Sequence, residues 1–291
     1  MAGLVAARGE LPTLCMAPTR KRSLRDRQFD LFSGTGIPPE GQTQPTVARQ
    51  ELVPADLADD ALVAAIPWAN RADALALAAE VGRRTLVAAV PALERLCRRF
   101  AGFGLDRAVP EQVAALQALS LIGGLEAAQT VARLVARDVV QGPTKKVAVS
   151  VAAHLKSALP AETVLALLQH ADPDVRADAC RCTGPWPAVV PVLLGPTDDS
   201  NGQVSVSAFC ALGRIGRREA KAALARLLRY APSVEVIDAI PGIADEDCVI
   251  LLGRIVRTRP ALADAALDAL EMIDQPRARQ LVAAFTAERN A

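Results

Sequence analysis

Aromatic residues are scarce: Phe, Trp and Tyr together make up 3% of the 291 residues, and there is one tyrosine. A core with so few large rings must be assembled from Ala, Leu and Val. The chain is 51% hydrophobic, and Ala-rich helices can pack closely without large side chains. Histidine is rarer still, limited to His154 and His170. No His-Glu pair, Cys-His dyad, Gly-rich phosphate loop or G-x-S-x-G elbow can be read from the spacing. The expectation is therefore a chain with no catalytic residues, no cofactor and no metal, its two histidines sitting at helix ends or on the surface. No run approaches the roughly 18 apolar residues a membrane span needs. The opening MAGLVAARGE also lacks the basic region of a secretory signal. A cytoplasmic setting with no membrane partner is expected. The six cysteines show neither paired CxxC spacing nor a His partner; Cys180 and Cys182 form a lone C-x-C. Cys180 and Cys210 fall at core positions of consecutive repeats, as small buried hydrophobes would.

What the sequence does contain is a repeat. The stretch DPDVRADACRCTG, residues 172–184, reads as a whole helix: an Asp-Pro-Asp start, Val175 and Arg176, small residues at helical spacing, and a closing Gly. Its neighbours repeat it, with glycines at 184, 213 and 242 spaced by 29. Val113, Val147, Val175, Val204 and Val234 hold matching places, at spacings of 34, 28, 29 and 30. A period near 30 built of helical hairpins predicts an all-α solenoid of about seven units.

These units resemble HEAT repeats, of the short kind found in phycobilisome-lyase-like repeat proteins. There Asp-x-x-Val-Arg opens the first helix and a small-Leu-Gly phrase closes it. Asp172, Val175, Arg176 and Gly184 carry the resemblance best, and Ala211, Leu212 and Gly213 carry the closing phrase of the next unit. The resemblance implies a fold far more than an activity.

Residues 1–53 are of different composition, rich in Gly, Pro, Gln and Thr and with more basic than acidic side chains. They predict a flexible basic tail ahead of the solenoid at 54–291. The solenoid is expected to open with a capping helix over 57–66, ended by Pro67. Repeat four reads WPAVVPVLLGP, with Pro185, Pro187, Pro191 and Pro196 close together, so its second helix should be short or distorted. Pro241 predicts a kink in the first helix of repeat six.

In HEAT solenoids the second helices line the concave side. On that basis Arg95, Arg98, Arg133, Arg137, Arg218, Lys221, Arg229, Arg254 and Arg257 predict a basic concave face that holds a protein partner. Acids such as Glu111, Asp174, Asp178, Glu235, Asp238 and Asp268 fall on first helices. The leading expectation is a non-enzymatic protein-protein interaction scaffold. A nucleic-acid-binding or DNA-repair protein, similar to the HEAT-like alkylpurine glycosylases, is the first alternative, and its stacking platform is poorly supplied here. A bilin-lyase-like protein is the second. The His-Glu pairs of the HEAT-repeat deoxyhypusine hydroxylases are missing.

Within the tail, Gln28, Phe29, Asp30, Leu31 and Phe32 form an apolar island. They resemble the bacterial sliding-clamp-binding motif, commonly Gln-Leu-(Ser or Asp)-Leu-Phe, with Phe29 in place of the usual Leu. The resemblance implies that Gln28 bonds at the edge of the clamp's groove while Leu31 and Phe32 fill its apolar pocket.

Overall fold

The computed structural model describes residues 53–290, with side chains through 288; residues 1–52, which carry Gln28–Phe32 and Cys15, lie outside them. Every regular element among the described residues is helical. A 3-10 turn, Pro54–Asp56, and α1 (Asp59–Ala65) precede seven hairpins. In chain order these pair α2 (Arg71–Arg83) with α3 (Val90–Arg99), α4 (Pro110–Ile122) with α5 (Gly124–Ala136), and α6 (Gly142–His154) with α7 (Ala161–Leu168). They continue with α8 (Pro173–Arg181) and α9 (Val190–Leu193), α10 (Gly202–Arg214) and α11 (Lys221–Tyr230), α12 (Val234–Asp238) and α13 (Glu246–Thr258), and α14 (Ala263–Glu271) and α15 (Pro276–Asn290). First helices stack in a row, α2 on α4 and α8 on α10 most closely. Second helices wedge against the first helix of the next repeat, as α3 does on α4, α5 on α6 and α13 on α14. Leu77, Leu93, Leu116, Leu119, Leu134 and Leu224 are fully buried in this seam, each stabilising by roughly 1.5–3 kcal/mol.

The starts of the helices follow from the polar residues before them. Side-chain oxygens of Asn70, Asp172, Asn201, Ser233 and Asp245 accept hydrogen bonds from the first-turn amides of α2, α8, α10, α12 and α13. Each cap contributes about 1 kcal/mol. Pro110 and Pro173 occupy first positions, where a missing N–H costs nothing. The Asp-x-x-Val-Arg phrase is explained by its partners. Asp172 caps, Val175 is buried, and Arg176 reaches forward to chelate Asp199 at 2.9 and 3.0 Å while donating to the carbonyls of His170 and Ala171. It thereby ties the start of repeat four to the turn that begins repeat five. Arg84 does the same at the N-terminal end, donating to the carbonyls of Pro54, Ala55 and Leu57 and pairing with Asp59 and Glu80.

The glycines at 184, 213 and 242 do not close helices in the left-handed conformation. Those positions are taken by Thr85, Asp138, Lys156 and Gly216, with φ of 52°, 52°, 50° and 78°. Each is followed by a residue whose amide reaches back five places, as Leu86 does to Val81 and Arg217 to Leu212. Gly213 instead lies inside α10 and Gly242 in the 3-10 turn after α12, because two repeats touch there backbone to backbone. A Cβ on Gly242 would sit 2.5 Å from the Gly213 oxygen, and one on Gly213 would sit 2.6 Å from the Ala239 oxygen.

Repeat four is broken as its prolines require, and α9 runs only Val190–Leu193. Pro241 does not kink a helix: α12 ends at Asp238, and Pro241 opens the 3-10 turn Pro241–Ile243. Proline has no amide to donate to a continuing helix, and α12 is too short for its neighbours to hold it helical through such a defect.

Cys97, Cys180, Cys182, Cys210 and Cys248 are all buried and free. Burial pushes the first four thiols up to about 12 and Cys248 to about 11, so thiolate is scarce at neutral pH. In a Cys15→Ser chain, a disulfide reagent at pH 8 is expected to label none of the five until denaturant is added. Rapid labelling of any one in the native protein would contradict this burial.

Candidate functional site

Two ion pairs define the site. Lys156, which follows α6, bonds Asp238 at the end of α12 at 2.7 Å, joining repeat three to repeat six. Arg181, the last residue of α8, forks onto Glu235 of α12 with both bonds at 3.1 Å, joining repeat four to repeat six. In a straight array only neighbouring repeats touch. Contact across two and three repeats places this side of the array on the inside of a bend. On this side lie the C-terminal ends of α6, α8, α10 and α14 and the short α12 and, among the described residues, no residue of the second helices expected to line the concave side.

The bend encloses a groove of about 700 Å³. Its charged lining is of both signs: Lys156, Arg181 and Arg214 with Glu235, Asp238 and Asp268. Arg181 also bonds Asp178 at 2.8 Å, and Arg214 donates to the Cys180 and Arg181 carbonyls at 3.2 and 3.3 Å, satisfying the end of α8. Burial disfavours the charged form of Arg181, but the hydrogen bonds it donates to Glu235 and Asp178 outweigh it and hold the guanidinium above its usual value. Burial likewise raises the Asp178 carboxyl, against the pull of Arg181. Between these groups lie Ile215, Val234 and Met272, the last 73% exposed. Such a lining offers apolar contact flanked by charges of both signs. Among the described residues no group of His, Cys, Asp and Glu could hold a metal ion.

The nine basic residues expected to form the concave face lie on the other row of helices. Arg95 and Arg98 are on α3, Arg133 and Arg137 at the end of α5, Arg218 and Lys221 at the start of α11, Arg229 near its end, and Arg254 and Arg257 on α13. The structure engages several of them. Glu94 pairs with both Arg98 and Arg133 at 2.7 and 2.9 Å, Lys221 pairs with Asp245, and the Arg257 guanidinium sits 5.2 Å over the Phe285 ring. Arg133 and Arg137 line a shallow hollow of about 460 Å³ beside Trp186. His154 and His170 are both exposed, and His170 uses Nδ1 to accept the Asp172 amide.

Sequence reasoning passed over Lys156, Arg181, Arg214 and Met272. The signal available was a basic residue at the last turn of successive first helices, Arg181 and Arg214, which reads equally well as compensation of the helix dipole.

No protein-family model matches the chain, and no curated protein matches it. Among solved structures, a chain in the complex of CpcE and CpcF of phycocyanin lyase from Nostoc sp. PCC7120 is 14% identical, with a TM-score of 0.47; the match covers 81% of this chain and 99% of that one. At that identity and score the likeness decides neither activity nor partner. No helix among the described residues is long and apolar enough to cross a membrane.

Proposed function

We propose that the chain is a non-enzymatic protein-interaction scaffold that holds a partner segment in the groove on the inside of its bend. The observation that carries this reading is the groove's lining. Three basic and three acidic side chains line about 700 Å³ together with exposed Met272. Such a surface suits a peptide segment bearing charges of both signs and an apolar anchor, whereas a phosphate backbone calls for one uniform sign. The bound segment is expected to lie across repeats three to seven, from Lys156, Arg181, Glu235 and Asp238 to Met272.

The test compares three chains by quantitative affinity purification: wild type, Lys156→Glu with Met272→Asp, and Arg133→Glu with Arg137→Glu. Lys156 and Arg133 each give up one ion pair, on side chains 78% and 42% exposed, and such pairs contribute at most about 1 kcal/mol, so melting temperatures should agree within a few degrees. Specific partners are expected to fall about tenfold with the groove variant, equivalent to 1.4 kcal/mol, and to stay with the α5 variant. Loss with the α5 variant alone would move the interface to the second helices.

The N-terminal segment 1–53 enters the proposal on sequence grounds alone, as a tether docking a sliding clamp through Gln28, Phe29, Asp30, Leu31 and Phe32. A labelled peptide spanning 23–36 is expected to bind purified clamp and to lose binding on Leu31→Ala with Phe32→Ala. Absence of binding at high micromolar clamp removes the tether and leaves the groove proposal standing.

A further inference from the structure

Successive first helices begin 29 to 32 residues apart, except that α4 begins 39 residues after α2. The extra length lies in the connection from Phe100 to Val109, whose ten residues contain no helical turn. Insertions in a helical repeat gather where the surface is used, since the stacked core does not need them.

This connection is held firmly. Gln112 Nε2 donates to the Phe100 carbonyl at 3.3 Å, and the Val109 amide donates to Thr144 Oγ1 at 2.9 Å. Gly102 and Gly104 turn at φ of 82° and 87°. A Cβ on Gly104 would lie 2.5 Å from Val109 Cγ2, so only glycine fits. The turns present Phe103 at 64% exposure, edge-on to Phe100 with ring centres 6.5 Å apart. Phe100 in turn lies 5.3 Å beneath the Arg99 guanidinium, which is fixed by the Pro67 and Ala69 carbonyls.

Around these rings is a cleft of about 360 Å³, whose lining includes Arg71, Arg99, Arg107 and Glu111 and carries two net positive charges. Glu111 is 4% exposed, and its nearest cation, Arg71 Nε, stands 3.5 Å away. That ion pair is the one charged contact of its carboxylate among the described residues, and the carboxylate lines the cleft as an acceptor. Arg107 is exposed, and no acidic side chain pairs with it among the described residues.

We infer that this cleft binds a nucleoside monophosphate. The phosphate dianion matches the two positive charges and takes Arg107 and Arg71. The base stacks on the open face of Phe103, and an exocyclic amino group donates to Glu111. Stacking on an aromatic ring, guanidinium contacts to phosphate, and a carboxylate accepting from a base amine are the recurrent means of holding single nucleotides. The volume suits one nucleotide and excludes a duplex. The inference is independent of the groove, which lies in repeats three to seven.

The experiment is isothermal titration of the full chain with AMP, CMP, UMP and inorganic phosphate. AMP and CMP are expected to bind, with UMP, which lacks the amino group, and phosphate alone each weaker by about tenfold or more. Phe103→Ala and Arg107→Gln change exposed side chains, leave melting unchanged and weaken AMP by about tenfold or more each. Glu111→Gln erases the preference of CMP over UMP. Three outcomes would overturn the inference: no heat at about 5 mM nucleotide, AMP binding unaffected by both surface variants, or inorganic phosphate binding as well as AMP.

Discussion

Gly242→Ala is expected to lower the melting temperature by roughly 6–12 °C, about 3 kcal/mol for a chain of this size. The added carbon would stand 2.5 Å from the Gly213 oxygen and 3.3 Å from the Gly216 nitrogen. Both are backbone atoms, so no side chain can turn aside to make room, and repeats five and six must separate. Gly213→Ala meets the same obstruction from the other side, at Ala239. Gly202→Ala is the control. It begins α10, its added carbon meets nothing within 4 Å, and stability should change by no more than about 0.5 kcal/mol. Thermal melting followed by circular dichroism measures all three, and a Gly242→Ala chain melting within about 2 °C of wild type would refute the close approach.

The second large effect belongs to Arg176. Replacing it with Met removes two bonds to Asp199 and two to carbonyls, and leaves Asp199, whose side chain is only 12% exposed, without its cation. A loss of about 2–3 kcal/mol is expected. Arg176→Lys should recover little of it, because an ammonium cannot fork onto both carboxylate oxygens. The damage is local, so protease should cut between 185 and 201 before the rest of the array. The pH dependence has a definite sign. Hydrogen bonding to Arg176 holds the Asp199 carboxyl below its usual value. The stability it lends is therefore complete above the ordinary carboxylate range and is lost as pH falls through the lowered value. Asp199→Asn should remove that acid-side slope while lowering stability at neutral pH. An unchanged slope would show that the pair does not couple to folding.

The hairpins were legible because their boundaries are written locally. Asn70, Asp172, Asn201 and Asp245 cap, Pro110 and Pro173 start, and four prolines near α9 allow nothing longer than Val190–Leu193. The glycine spacing was legible but its reason was not, since a left-handed turn and a close backbone crossing both demand a residue without a side chain. Thr85, Asp138 and Lys156 take left-handed positions that favour glycine, so residue type could not separate the two uses. The groove was not legible at all. It depends on Lys156 meeting Asp238, 82 residues on, and on Arg181 meeting Glu235, 54 residues on. Such meetings follow from the accumulated rotation of several repeats, a quantity no single repeat encodes. The cleft at Phe103 could have been suspected from the long interval between α2 and α4, had helix starts been compared in place of valines.

The bonds that span the bend also bear on how this chain can change over time. In an open solenoid a unit can be duplicated or deleted, and the remaining units still find their neighbours. Here repeats four and five lie between Lys156 and Asp238, and repeat five lies between Arg181 and Glu235. Adding or removing one unit would carry each charge past its counterpart by a whole repeat. The groove between α6 and α12 therefore exists only at this copy number. Repeats added or lost outside that stretch, at the α2 end or beyond α14, leave its ion pairs in register.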